Sequence, residues 1–429
     1  MLRFNFLIAG FLFLFSSCRH TDPLVNPVFA DSLMNHFTAL ELVKVNEAEL
    51  AFWKKRIKPE SPGLINEARY ASALINRFHL WGDIRDVQEA DSLIRKVDTA
   101  FNHKEAGPIR TLISYSIMQH RFKQADQYLQ IAKSIGLRNE ESLSLSFDVD
   151  FEHGRFGNAH MDLNALKPIG DFGYYFRRSR MDHLNGELDS SISAMMKAST
   201  LSENVQLLKQ VALSNTGDLY IHAGKFMEAR DKYVECIRLG TADFHSVMGL
   251  GWIALIHDGN DSLAERLFLF VHLHNKLPDA LYKLVQVAQA RGDSISELSN
   301  ARTFVAAASD SIYERMYNKY LIEIYTEVLN EPAKALNLSR DELNNRATPQ
   351  TYAWYCWCLL ANDQKEEAYK VFEKQVSGKP LEGLELFWMG KLMLSLGKGY
   401  NAQAFFKAAY KDKYDLSPRI VKELEKDIE

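Results

Sequence analysis

QVALSNTGDLYIHAGKFMEARDKYVECIRLGTAD, residues 210–243, reads as two amphipathic helices hinged at Gly224. Large side chains recur at Leu213, Tyr220 and Tyr233, and small ones at Gly217, Ala229 and Cys236. The apolar spacing follows the 3.6-residue period of a helix rather than the alternation of a strand. Outward from this stretch the same pattern returns about every 34 residues. Gly154, Gly186, Gly259, Gly292 and Gly397 fall on that clock with Gly224, and Asn330 and Asp363 fill the gaps. Ala125, Ala159, Ala264, Ala335, Ala368 and Ala402 keep time with Ala229. A repeat of this length signifies an array of small units stacked in one elongated body.

From Leu64 to Tyr414 the chain divides into ten helical hairpins, near 64–102, 106–137, 140–168, 172–200, 204–240, 244–277, 278–310, 313–347, 349–380 and 383–414. Prolines 108, 168, 278, 349, 380 and 418 fall between them, where they stop one helix or start the next. In Gly292-Asp293-Ser294, Ser294 is the expected N-cap with Glu297 as its capping-box partner, and Gly259 to Glu265 repeats the device. Residues 31–62 are expected to form a lead-in helix, capped by Asp31 or Ser32, that covers the first repeat. Residues 417–429 are expected to cap the far end, with Ile420, Val421 and Leu424 turned inward. Valine-rich alternation is nearly absent, so no sheet is expected.

The chain thereby resembles the tetratricopeptide repeat (TPR) family. In the copy starting at Gln210, Leu213, Gly217, Tyr220, Ala229, Tyr233 and Cys236 stand at the positions the family reserves for large or small side chains. The copy from Gly383 matches through Leu386, Gly390, Gly397, Ala402, Phe406 and Ala409, and that from Pro349 through Tyr352, Ala368, Phe372 and Pro380. The resemblance covers about 350 residues, 64–415, and implies an all-α solenoid, a right-handed superhelix of about ten hairpins with a capping helix. It also implies a concave groove lined by the first helix of each hairpin. Carried onto this sequence, the groove candidates are Arg110, Phe176, Arg180, His222, Trp252, Tyr282, Trp357 and Phe387. Aromatic and arginine side chains are the types that dominate binding hot spots.

The N-terminus points elsewhere. Phe6 to Phe15 is apolar, follows Arg3, and leads into Ser16-Ser17-Cys18. Ten residues cannot span a bilayer, which needs about 20, but they suit the core of a signal peptide. The pattern resembles a bacterial lipoprotein signal, residues 1–17, with Cys18 as the lipidated residue and 18–30 as a tether. Phe15 stands where that family usually has leucine. An ordinary secretory signal with an incidental cysteine is the alternative.

The remaining chemistry is sparse. Net charge is −4, which argues against nucleic acid as a partner. Of four cysteines, Cys236, Cys356 and Cys358 remain after Cys18, with no disulfide framework. Cys356 and Cys358, like His272 and His274, are two apart and so point to different sides of a helix. No nucleophile elbow, phosphate loop or dinucleotide turn is present. The expectation is a non-catalytic, cofactor-free scaffold, lipid-anchored in the bacterial envelope on the periplasmic face of the outer membrane, holding an envelope protein or peptide. The alternative is a glycan-capture lipoprotein resembling the starch-utilisation family, with Tyr174-Tyr175-Phe176 as an aromatic platform.

Overall fold

The repeat turns depend on a backbone conformation that few residues tolerate. Gly292, between the helices of one hairpin, has φ +68°, and Asn330 and Asp363 take the same left-handed turn at φ 53° and 59°. Asparagine and aspartate are the residues that replace glycine there at least cost. His120 does so as well, at φ 54°, and the glycine count therefore misses that turn.

The computed structural model describes residues 23–38, 40–240 and 243–428. Among them lie twenty-three α-helices and no strand. Two precede the array, α1 (Pro27–Asn35) and α2 (Leu40–Lys54). The first five hairpins are α3 (Asn66–Trp81) with α4 (Ile84–Ala100), α5 (Ala106–Met118) with α6 (Phe122–Ile135), α7 (Asn139–Glu152) with α8 (Phe156–Leu166), α9 (Phe172–Leu184) with α10 (Leu188–Leu201), and α11 (Gln206–His222) with α12 (Phe226–Leu239). The next five are α13 (Phe244–Ile256) with α14 (Asp261–His274), α15 (Asp279–Arg291) with α16 (Ser294–Ala308), α17 (Asn318–Glu323) with α18 (Pro332–Asn345), α19 (Pro349–Ala361) with α20 (Lys365–Val371), and α21 (Gly383–Leu396) with α22 (Ala402–Ala409). A last helix, α23 (Pro418–Ile428), ends the chain's described part. Both α17 and α20 continue into a π-helical turn, Ile324–Val328 and Phe372–Val376. The array is thus an all-α solenoid of ten tetratricopeptide-like hairpins.

Small residues let the paired helices meet. A Cβ on Gly217 would lie 2.4 Å from the Tyr233 ring, and one on Gly390 would lie 2.4 Å from the Phe406 ring. Gly249, in the next hairpin, faces the same Tyr233 at 2.4 Å. Tyr233 is therefore clamped between two bare backbones, which no side chain larger than hydrogen permits. Cys236, Cys356 and Cys358 fill comparable small sites as buried free thiols.

The helix starts differ from the sequence expectation. Asp293 caps α16, accepting from the backbone N–H of Ile295 and Ser296, both at 3.1 Å. Asn260 caps α14 through the Leu263 N–H at 3.0 Å. Ser294 and Ser262 are already inside their helices. Glu297 is no capping-box partner: it is buried and accepts from Gln289 Nε2 at 2.9 Å. Aspartate and asparagine reach the first-turn N–H groups as well as serine, and the caps fall one residue before Ser294 and two before Ser262.

The lead-in also differs. Where one helix over 31–62 is expected, two are present, and α1 starts four residues earlier at Pro27, capped by Asn26. Instead of covering the first repeat, α1 lies along α14, 230 residues away. The N–H groups of Leu24 and Val25 donate to the two oxygens of Asp258 at 3.0 and 2.9 Å, Asp31 pairs with Arg266, and Phe37 packs on Phe244 and Phe270. Only α2 packs on α3, where Asn46 donates to the Ala73 carbonyl at 2.9 Å. The segment expected to be a tether is therefore docked from Leu24 onward. Residues 1–22, with the apolar run and Cys18, lie outside the described residues.

The solenoid winds tightly enough for distant hairpins to touch. Asp83 of the first pairs with Lys276 after the sixth at 2.8 Å. Arg121 of the second pairs with Glu314 at 2.6 Å, and the His120 carbonyl accepts from Asn345 of the eighth at 2.8 Å. Glu152 of the third meets Arg346 at 3.0 Å. The C-terminal segment closes the fifth and sixth: Asp415 pairs with His222, and the Tyr414 carbonyl accepts from Trp252 Nε1 at 2.8 Å. The end helix α23 buries Ile420 and Leu424 and ties across the winding through Arg419 to Glu297. Among the described residues no helix is long and apolar enough to cross a membrane.

Candidate binding surface

First helices of the hairpins supply a set of ionisable side chains that face one another. Asp218 and His222 come from α11, His245 from α13, Asp279 and Lys283 from α15, Lys319, Tyr320 and Glu323 from α17, and Glu385 from α21, with Glu382 just before it. They form a paired network. His245 Nε2 meets Asp218 at 2.8 Å, and the Tyr233 hydroxyl donates to the same carboxylate at 2.6 Å. Tyr317 donates to Asp279 at 2.5 Å and Tyr282 to Glu323 at 2.6 Å. Lys319 bridges Glu382 at 3.1 Å and Glu385 at 3.2 Å, and Trp354 Nε1 donates to Glu385 at 2.6 Å.

One cation stands apart. Lys283 Nζ makes no ion pair among the described residues and sits 3.6 Å over the Trp252 ring. Burial lowers its pKa to about 8, against the pull of Asp415, Glu323, Asp218 and Asp279. Burial also pushes down on His222, but the bond to Asp415 overcomes it and holds the imidazole up at about 9. His245 is raised to about 9 by the charge of Asp218. Lys319 draws Glu382 down to about 2, while burial raises Glu385. These shifts mark a low-dielectric setting, yet His245, Glu382 and Asp218 keep access to water, at 53%, 59% and 38%, while Glu323 and Glu385 are buried. Groups both walled in and wetted line an inner wall rather than a core. Such a wall offers carboxylate acceptors, the half-exposed His245, the Lys283 ammonium and the Tyr320 ring, 37% exposed.

The eight groove candidates divide. Trp252, Tyr282 and Phe387 are 7%, 9% and 1% exposed and belong to the core; their faces are not presented to a partner. His222 is spent on Asp415. Trp357 stacks parallel on Trp388 at 5.6 Å and donates to Thr326 at 2.9 Å. Arg110, paired with Glu141 at 2.9 Å, stays half-exposed. Phe176 stacks on Phe172 at 5.7 Å, and Arg180 bonds Glu152 at 2.7 Å and covers Phe151. The reasons differ: winding brings Trp252 against Tyr414 of the C-terminal segment, whereas Tyr282 packs on Phe304 and Tyr320, and Phe387 on Phe406, within their own or the adjacent hairpin. The aromatic platform fares likewise. Tyr174 is buried, and Tyr175 and Phe176 pack in core clusters. The wall residues missed from the sequence are Lys283, Lys319, Tyr320 and Glu382. Lys283 neighbours the predicted Tyr282 on the same helix, which was the available signal.

Elsewhere, a cleft of about 600 Å³ opens between α4, α6 and the turn at Glu314. Its arginines are committed: Arg95 and Arg121 both bond Asp91, and Arg315 bonds Asp341. Burial raises all three thiols, Cys358 to about 12, which suppresses the thiolate a nucleophile needs. Among the described residues no group of three or more His, Cys, Asp and Glu is placed to hold a metal ion.

Helical-hairpin solenoids are already known among solved structures. A tetratricopeptide repeat protein from Parabacteroides merdae is similar over 59% of this chain and 97% of its own, at 15% identity and a TM-score of 0.35. Human IFIT1, as a dimer with PPP-AAAA, is similar over 73% of this chain and 72% of its own, at 10% identity and a TM-score of 0.46. No protein-family model matches the chain, and neither does any curated protein.

Proposed function

We propose that this protein is a lipid-anchored, non-catalytic scaffold of the bacterial cell envelope that holds a segment of another envelope protein against its inner wall. The observation that carries the binding role is the wall itself: Lys283 without an ion pair beside the exposed Tyr320, framed by wetted Asp218, His245 and Glu382. A partly buried ammonium without a direct ion pair lowers stability, and a partner's carboxylate or carbonyl would supply that contact. Half-exposed Arg110, with the partly buried Phe176 and Arg180, extends the surface toward the first hairpins. The anchor rests on the Phe6–Phe15 run and Cys18, and localisation to the periplasmic face of the outer membrane rests on the same signal.

The test pairs the wild type with Lys283→Met plus Tyr320→Ala in a cross-linked pull-down from envelope membranes. Tyr320 is 37% exposed and neither residue makes an ion pair among the described residues, so the variant should stay folded by circular dichroism. A protein recovered with the wild type and at least tenfold depleted with the variant supports the scaffold. Equal recovery, or none from either, sinks it. Radiolabelled palmitate incorporation, lost in Cys18→Ser, tests the anchor separately.

A further inference from the structure

The chain's entry into the fold determines which side of the solenoid could face a membrane. Backbone N–H groups of Leu24 and Val25 are held by both oxygens of Asp258, a side chain only 1% exposed. Arg230 reaches the Leu24 carbonyl at 3.5 Å, and Asn26 caps α1 directly afterwards. The chain is thus fixed from Leu24 onward at the turn between α13 and α14. Between Cys18 and Leu24 lie six peptide steps, which span at most about 22 Å even when fully extended. An acylated Cys18 would sit at the lipid surface, so this turn could not lie far from it.

We infer that the hairpin-turn edge around Asp258, carrying the turns at Gly224, Gly259 and Gly292, is the bilayer-facing side of the protein. This rests on the lipid-anchor reading of Cys18. Ion pairs and bonds tie the edge together: Arg291 spans from one turn to Asp261 and Glu265 of the next, both at 2.7 Å. The first turns of α1, α12 and α16 carry exposed apolar side chains, Val28 at 76%, Met227 at 55% and Ile295 at 85%. Apolar exposure alone does not select this edge, because Leu273 at the other end of α14 is 79% exposed. The docking of Leu24 and Val25 does. Helix α14 has 14 residues, about 21 Å of axial rise, so its two ends would stand at clearly different heights above the lipid. A bilayer is the occupant because so short an anchor keeps the turn between α13 and α14 close to the lipid that holds it. A long flexible tether would leave orientation free.

The experiment uses the full acylated chain in vesicles whose headgroups carry an energy-transfer acceptor. Single cysteines at Val28→Cys, Ile295→Cys and Leu273→Cys receive a donor dye. Cys236, Cys356 and Cys358 are buried and stay unlabelled. At least twofold more transfer from positions 28 and 295 than from 273 is expected. Inserting a 20-residue Gly/Ser spacer between Asp22 and Pro23 should erase that difference while palmitate incorporation persists, and Asp258→Ala should reduce it. Equal transfer from all three sites of an acylated protein, or a difference that survives the spacer, overturns the orientation and leaves the anchor standing. Absence of palmitate from the wild type overturns the anchor reading itself, and the orientation with it.

Discussion

Lys283 and Trp252 show how one contact divides stability from binding. At pH 7 the ammonium is charged in both the folded and unfolded chain, but burial in the fold disfavours that charge and lowers the pKa to about 8. The cost is constant below pH 8 and fades as pH rises toward the unfolded value near 10.5. Lys283→Met should therefore raise the melting temperature at pH 7, with the gain shrinking at pH 10; thermal scans at the two pH values check this. Trp252 behaves oppositely. It is 7% exposed and its indole N–H is bonded to Tyr414, so Trp252→Ala should destabilise by about 3–5 kcal/mol in a denaturant titration. Trp252→Phe, which keeps a ring but loses the bond, should lose about 1 kcal/mol. The residue favoured from sequence as a partner contact is a structural one. Nothing local distinguishes an inner-helix tryptophan that meets solvent from one that meets a later hairpin.

At the scale of the hairpin, the small-against-large rule gives a sharp contrast. Gly217→Ala and Gly249→Ala each push a methyl into the Tyr233 ring from opposite sides. Each should lose about 1–3 kcal/mol by overpacking, and the pair should be less than additive, because both press on one ring. Gly107→Ala in α5, with nothing within 4 Å, should be neutral or gain about 0.5 kcal/mol. Chemical denaturation of the four variants decides it, and a Gly217→Ala as stable as Gly107→Ala would refute the clamp. This rule was legible, since Gly217 and Tyr233 occupy repeat positions whose meaning is geometric. The turns were legible where Gly292, Asn330 and Asp363 mark them, and not at His120, whose left-handed φ has no sequence signature. Capping slipped by one residue: Asp293 and Ser294 both can cap, and only the backbone path decides between them.

At the scale of the whole molecule, winding is closed by side chains far apart in sequence, and some are titratable. His222 is raised to about 9 by Asp415. Its contribution is complete below the unfolded histidine value of about 6.5 and is lost as pH rises through 9. His245, raised to about 9 by Asp218, adds a loss in the same window. The melting temperature should fall between pH 6.5 and 9, and His222→Gln with His245→Gln should flatten that slope. Around this window Lys283 acts with opposite sign but mainly above pH 8, so the histidine loss dominates at its lower end. Ending the chain after Lys411 removes Tyr414, Asp415, Arg419 and α23 together. The hairpins should persist by circular dichroism, while the radius of gyration in small-angle scattering should rise as the fifth and sixth hairpins lose their contact with the tenth.

The repeat period, the number of hairpins, the pairing of small with large side chains and the inward face of α23 were determined by the sequence alone. Each follows from residues within about one repeat of one another, and helix periodicity and turn chemistry act over that range. The contacts of the first hairpins with the sixth to eighth, the seating of α1 on α14 and the loss of Trp252 from the groove were decided only by the tertiary structure. A solenoid's pitch accumulates from small rotations at each interface between hairpins. Those rotations depend on how particular side chains pack, and their sum determines whether an inner-helix residue ends beside water, as His245 does, or against another turn of the chain.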